Sequence, residues 1–572
     1  MLEDKRTALA VFLIFIVVMV YSELVISPYT RPRPVPVAQP TVPQVSQPAG
    51  STSTAPAAAA SPQQIVPAQG AAPAAPQDQK PPNPAELEAS PKIVVENDTI
   101  ITSISLLGGR PASIKLKDYK ARLGSDDLLD LVQIAENQPL PLGIYSGGRN
   151  DAHVNYALEG VSAGFDPAQQ SFRVGSEDLQ IKLSGHFSDG TAVSKSFRFS
   201  PGSYLFDVEA RLSQASSDGS ALWLEWTNYL SEAGANDGLD IHQFSYLTPA
   251  GKIQHLLVDR VEPNLSEPLS SIWLAFNGKY FTSTLIPTAT DLNARYGRQE
   301  RLFISRVRGT SDSGSFKVYA GPKDYRVLKG LAFQLERSID LGFFSFLAYP
   351  LLLGIRFFND LFGNYGLAII GLTLLIKCLF FPLTKASLRS AKAMQELQPE
   401  IKALRERIKD QNQLNQEMMG LFKKRGVNPL GGCLPILVQI PVFFGLYSAL
   451  LNSIELRHAP FALWVQDLSG KESIPIMTVL MGVVMFVQQY TTPMPQVDPA
   501  QRRMMLIMTI IFPVSFLIFP FPAGLVLYTL VNATISLIQQ AYLRSDTKAN
   551  PFRAMLLASL GIFLLGFILT RL

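Results

Sequence analysis

Leu372-Thr373-Leu374-Leu375-Ile376-Lys377-Cys378-Leu379-Phe380-Phe381 sets one lysine inside an otherwise uncharged, almost wholly apolar stretch. An ammonium at the centre of a bilayer costs about 2.5–3.5 kcal/mol on insertion scales, so Lys377 needs a wet or polar surrounding. Thr373, four residues earlier, shares its helical face. Gln439, Gln488, Gln489, Thr529 and Asn532 are polar residues in three other apolar runs. If they converge with Lys377, they line a hydrophilic cavity. Two plainer readings stand beside this one. Lys377 lies about five residues, roughly 8 Å by helical rise, from the cytoplasmic end of its run, within reach of the interface by snorkelling. The polar residues also suit simple hydrogen bonds to neighbouring helices.

Further apolar runs surround that stretch. Candidate spans are Tyr365–Leu383, Cys433–Leu451, Ile474–Tyr490, Met504–Phe519, Ala523–Ile538 and Ala554–Thr570. Several are near the short limit, which implies tilt or local thinning of the bilayer. Phe343–Phe358 is apolar but broken by Pro350 and Arg356, so an interfacial helix is expected over 341–364. The connection 384–431 carries ten basic and five acidic residues, whereas 452–473 carries two and three. Basic residues recur between the third and fourth runs (Arg502, Arg503) and between the fifth and sixth (Arg544, Lys548, Arg553). These alternate, basic connections are placed in the cytoplasm. Met394, Leu397, Ile401, Leu404 and Ile408 make a heptad seam, and Leu414, Met418, Leu421 and Phe422 continue a helical stripe. The expectation is a helical hairpin over 384–431, kinked or started at Pro399. Its basic face, with Arg405, Arg407, Lys423, Lys424 and Arg425, is a candidate docking surface for nascent chains, a ribosome or anionic lipid headgroups; a merely solvated face is the plain alternative.

Upstream, Lys5 and Arg6 precede the apolar stretch Ala8–Ile26. It fits a cleaved signal peptide or a retained anchor with a cytoplasmic N-terminus (residues 1–27); the anchor is the favoured reading, since no A-x-A cleavage site follows and the stretch reaches the ~20 residues that a span needs. Residues 28–92 are rich in Pro and Ala and read as a disordered tether. Residues 93–340 have the period of strands. Leu179–Leu183 and Ala192–Phe197 flank a turn at Ser188-Asp189-Gly190, and Asn277-Gly278 between Ser271–Phe276 and Lys279–Thr282 signals a type I′ hairpin. A large antiparallel β-sandwich is expected, on the side of the membrane opposite the basic connections. Four of the five histidines lie here without metal spacing, and no nucleotide or nucleophile motif stands out, so no cofactor and no enzyme activity are implied. Charged residues are 17%, mean hydropathy is +0.17 and net charge is +4. That balance speaks against a uniformly soluble enzyme and against a nucleic-acid partner. Two cysteines exclude a disulfide scaffold.

Val427-Asn428-Pro429-Leu430-Gly431-Gly432-Cys433-Leu434-Pro435 resembles the signature of YidC-type membrane protein insertases. Gln439–Phe443, Glu455–Phe461, Phe381–Thr384, Pro522–Tyr528, Gln539-Gln540 and Tyr319–Lys323 agree with it in order along the chain. The resemblance implies a polytopic α-helical membrane bundle in the bacterial inner membrane: a five-helix core over 365–540, an N-terminal anchor and the periplasmic β-sandwich. It implies insertion and folding of nascent integral membrane proteins, alone or with the Sec translocon, through a cationic groove open to cytoplasm and lipid. The family's groove position is usually Arg; here Lys377 occupies it, without the planar fork. Tyr528 and Thr529 fall at the family's Tyr and its following aromatic. Many relatives end in a soluble basic tail, whereas 541–572 carries Ala554–Thr570, an additional span or an interfacial helix.

The expected mechanism draws a substrate's hydrophilic, often acidic, flank toward Lys377 while its apolar segment partitions into lipid, with hydrophobic transfer as the driving force. The competing class is a small-anion secondary transporter or channel using Lys377, which requires a continuous path; no inverted repeat is visible.

Overall fold

The computed structural model describes residues 81–132, 134, 138–162, 170–215, 220–230, 242–288, 293–299, 301–427, 434–491, 499–519, 521–544 and 551–571. The expected anchor at 8–26, most of the tether and the heart of the signature at 428–433 lie outside these residues.

The chain is already folded at the end of the expected tether. Helix α1 (Pro84–Ala89) starts on a reciprocal capping box, in which Asn83 accepts from the Glu86 N–H and Glu86 accepts from the Asn83 N–H. It buries Leu87, and the first strand, Lys92–Glu96, follows at once. The limit of 92 for a disordered segment is therefore too late.

The described residues of the β-rich part form three sheets of five, nine and seven strands. Alternation drives it: along Leu179–His186 and Ala192–Phe199 every second side chain is buried, and the two strands pair antiparallel about Gly190, whose φ is +83°. Aromatic residues from several strands fill the core, including Phe197, Phe199, Phe206, Phe244, Trp273, Phe303 and Phe316. Two details depart from expectation. Lys92–Glu96 pairs in parallel with Ser171–Arg173, so the domain is not wholly antiparallel, and three sheets replace a simple two-sheet sandwich. Trp273–Asn277 and Phe281–Pro287 do form a hairpin, but Gly278 keeps a negative φ. The pair Asn277–Thr282 closes a longer loop in which the Gly278 N–H donates to the Phe281 carbonyl at 2.9 Å, so no primed turn is needed.

At the heart of this domain Arg110, Asp151 and Lys195 are at most 2% exposed. Asp151 binds Lys195 at 2.5 Å and Arg110 at 2.6 Å. The two cations hold its carboxyl below its ordinary range, against the opposing effect of burial. Lys195 also donates to the carbonyls of Gly108, Gly109 and Leu142.

After the short helix α2 (Tyr325–Gly330) the chain becomes helical. α3 (Ser345–Phe362) runs unbroken through Pro350 and Arg356. Arg356 does not interrupt it because the guanidinium is buried against Glu455 and over the Tyr325 ring. α4 (Tyr365–Leu379) is capped by Asn364 and stops at Phe380; α5 (Phe381–Glu396) leaves at a bend of 59°. The expected span Tyr365–Leu383 is thus shortened, since Pro382 opens the next helix. α6 (Gln398–Arg407) and α7 (Gln411–Arg425) form a hairpin, with Pro399 in the first turn of α6, Asp410 capping α7 and Gly426 closing it at φ +64°. Ile401 and Leu414 are its buried residues, and Arg425 pairs with Glu400 at 2.5 Å.

Among the described residues four further helices follow: α8 (Leu434–Asn452), α9 (Ile476–Thr491), α10 (Pro499–Ile518) and α11 (Ala523–Arg544). A last helix, α12 (Pro551–Leu569), packs on α4 and α11. Among the described residues, length and composition alone make a membrane-crossing helix of Ala523–Ala541, and the bent pair α4–α5 a second. Of the other helices α9 has 16 residues, whereas α8, α10 and α12 have 19 or 20, so among the described residues length alone does not fix the count of spans. Neighbours run in the order α8, α3, α4, α11, α9, α10. α8 and α10 approach each other through the rings of Phe443 and Phe512, 6.4 Å apart.

Side chains tie the two parts together. Arg457, in the connection after α8, donates to the carbonyls of Lys120 and Ala121 and lies over the Phe281 ring. The Tyr349 hydroxyl meets that of Tyr325 at 2.8 Å.

Candidate functional site

Lys377 sits in the last turn of α4. Its neighbours Leu375 and Leu379 point away from the protein and are 54% and 71% exposed. The lysine points the other way. Its Nζ donates to Ser536 Oγ of α11 at 2.7 Å, and that hydroxyl donates in turn to the Asn532 carbonyl at 2.8 Å. The amine is therefore directed across the bundle, not along α4 toward its end as snorkelling would have it.

Ser536 is not among the candidates that the sequence singles out. Its signal is spacing: Tyr528, Asn532 and Ser536 recur every four residues and make one stripe along α11. At the other end of that stripe Gln439 of α8 donates from Nε2 to the Tyr528 hydroxyl at 2.5 Å. Tyr528 is 1% exposed, so a partner for its hydroxyl is needed. Lys377, Ser536, Asn532, Tyr528 and Gln439 thus form a polar line about 12 Å long, from eight residues of helical rise, shared by three helices.

The other candidates take different places. Thr373 and Thr529 are buried, but each hydroxyl donates to the carbonyl four residues earlier in its own helix, Ile369 and Leu525. This is the self-satisfaction usual for threonine in a helix. Gln488 and Gln489 are half-buried near the end of α9, a helix that adjoins α10 and α11. Arg405, Arg407, Lys423, Lys424 and Arg425 are all exposed on the α6–α7 hairpin.

Beyond Tyr528, toward the start of α11, aromatic rings fill the bundle. Phe516 and Phe521 lie 4.4 Å apart, Phe512 and Phe516 5.1 Å, Tyr447 and Phe521 6.2 Å, and Phe443 and Tyr528 6.5 Å. Leu468 and Phe461 of the connection before α9 join the same cluster. The polar line is capped by rings at its Tyr528 end. Among the described residues no group of His, Cys, Asp and Glu is arranged to hold a metal ion.

Residues 92–353 match the family described as YidC periplasmic domain, and residues 357–550 match 60Kd inner membrane protein. A membrane protein insertase YidC of Geotalea daltonii is 37% identical over 479 residues, which cover 81% of this chain and 88% of that relative. One from Magnetococcus marinus is 35% identical over 583 residues, covering 96% and 100%. A solved structure, an active YidC insertase with its first transmembrane domain resolved, has a TM-score of 0.35 at 19% identity, over 81% of this chain and 97% of that one.

Proposed function

Because the chain belongs to the YidC family of membrane protein insertases, we propose that its insertion step works through the polar line from Lys377 to Gln439. The protein is an inner-membrane insertase with a periplasmic β-rich domain, and its substrates are membrane proteins. Its work is transfer between phases, with no covalent step.

The observation that carries the proposal is the direction of the Lys377 ammonium, held on Ser536 inside the bundle. A cation held there attracts the acidic or hydroxyl-rich flank of an incoming chain and offers it hydrogen bonds part-way across the apolar layer. The aromatic cluster around Phe516 and Phe521 closes the periplasmic end, so the line acts as a half-channel from the cytoplasm. This closure favours an insertase over an anion transporter, which needs a path to both sides. The apolar part of the substrate leaves sideways. The row of helices is least closed between α8 and α10, where Phe443 and Phe512 provide a smooth ring surface. The 16-residue α9 thins the bilayer locally and shortens the path.

The exposed basic residues of the α6–α7 hairpin suit a ribosome or anionic headgroups at the cytoplasmic surface, and Sec components suit the membrane-facing sides. Residues 8–26 serve as an anchor with the N-terminus in the cytoplasm. The test is reconstitution: purified protein in sealed vesicles should insert a short single-span substrate while leaving a chloride gradient intact. Anion flux without insertion would overturn the reading.

A further inference from the structure

Helix α12 has an inward face that the insertion step above leaves unused. Leu557, Leu560, Leu564, Leu565, Phe567 and Ile568 are exposed, whereas Ile562, Phe563 and Gly566 turn toward the bundle. A Cβ at Gly566 would stand 2.9 Å from Ile370 Cδ1 and 3.3 Å from Leu367 Cδ2, so the missing side chain is what allows this close approach. The Phe563 ring lies 4.6 Å from that of Phe362, the last residue of α3. These contacts are at the periplasmic half of α4 and the end of α3, remote from Lys377. α11 starts level with Ile369, beside Gly524, and passes Lys377 at Ser536 before ending at Arg544. A helix lying on the cytoplasmic surface after Arg544 would not meet Leu367. One that returns across the bilayer does.

We propose that α12 is a returning transmembrane helix that seals the seam between α4 and α11, seated by Gly566, and so bars a substrate's apolar segment from that side of the bundle. The proposal rests on the insertase reading. α4 and α11 are the two helices that carry Lys377 and Ser536, and an apolar segment entering their seam would reach the ammonium from the lipid side and part the pair. With the seam closed, the side between α8 and α10 is left as the lateral exit.

The test uses the full chain in membranes, with a photoreactive residue either at Leu374, one turn beyond Ile370 on α4, or at Ile440, exposed on α8, during insertion of a short single-span substrate. It is repeated in a chain lacking residues 551–572 and in Gly566→Leu. The Ile440 probe should capture substrate in all three. The Leu374 probe should capture α12 in the full chain and give substrate adducts that rise several-fold in the two altered chains. Equal substrate adducts at Leu374 in the full and altered chains would overturn the seal, as would their absence from both altered chains while Ile440 adducts persist. If the shortened chain does not accumulate, Gly566→Leu carries the comparison. Insertion yield is read in the same samples: a full chain that inserts nothing sinks the insertase reading itself, whereas a full chain that inserts with equal adducts sinks only the seal.

Discussion

Replacing Asp151 with Asn should be the most damaging single change in the periplasmic domain. The carboxylate has no solvent exposure and accepts from Lys195, Arg110, the Ile144 N–H and the Tyr156 hydroxyl. The amide of Asp151→Asn would keep the shape and remove the charge, which leaves two buried cations facing each other. Their remaining partners are the carbonyls of Gly108, Gly109, Leu142 and Leu140 and the Asn150 amide oxygen, none of them anionic. Removing one member of a buried ion pair costs about 3–5 kcal/mol. In a domain of this size each kcal/mol moves the midpoint by about 2–4 °C, so a fall of roughly 6–20 °C is expected. Intrinsic fluorescence during heating reads this directly, because Trp223, Trp226 and Trp273, three of the four tryptophans, lie in the domain. Adding Lys195→Met should recover part of the loss by removing one unpaired cation. A single-variant midpoint within about 2 °C of the parent, less than 1 kcal/mol, would refute the assignment of these charges as a mutually dependent core.

Other outcomes follow from the same geometry. Since Asp151 titrates below its ordinary value of 3.8 in the folded domain, its contribution is complete above that value and is lost as pH falls through the lower, folded one; the fluorescence midpoint should drop steeply only on that acid side. Gly366→Leu should unseat the periplasmic connection, because even a Cβ at Gly366 would overlap the Phe461 ring; a loss of about 1–3 kcal/mol and increased protease cleavage within 453–473 are expected. Tyr528→Phe removes the bond to Gln439 and should cost about 0.6 kcal/mol of stability, the mean for hydrogen bonds between membrane helices, while lowering the insertion yield measured in vesicles because it interrupts the polar line.

What the sequence makes legible is whatever periodicity or composition encodes. The strands of 179–199 show their alternation, and the hairpin at 394–422 shows its seam, because both patterns reflect which side faces other protein. Lys377 stands out because a charge in an apolar run is rare. Its partner Ser536 does not, since a serine in a helix is common and gains meaning only from the stripe with Tyr528 and Asn532. Arg356 reads as an interruption because its counter-charge, Glu455, lies 99 residues away in the chain. The parallel pairing of Lys92–Glu96 with Ser171–Arg173 is equally hidden, for strand partners are fixed by tertiary contact. The dipeptide Asn277-Gly278 marks a hairpin correctly but not its turn, which the register at Thr282 sets. Thr373 and Thr529 read as groove-lining groups, yet a threonine hydroxyl finds its own backbone first.

The central claim is that the Lys377 charge, directed at Ser536, draws in the polar flank of a substrate. Vesicles containing the parent, Lys377→Arg, Lys377→Ala or Lys377→Glu should be compared on two single-span substrates that differ only in whether the translocated flank is acidic or neutral. The account predicts near-parental insertion by Lys377→Arg, and for the acidic flank a loss on the order of tenfold in Lys377→Ala, the factor that ~1.4 kcal/mol makes, with a deeper loss in Lys377→Glu. Insertion of the acidic-flank substrate at the parental rate by both Lys377→Ala and Lys377→Glu would contradict it.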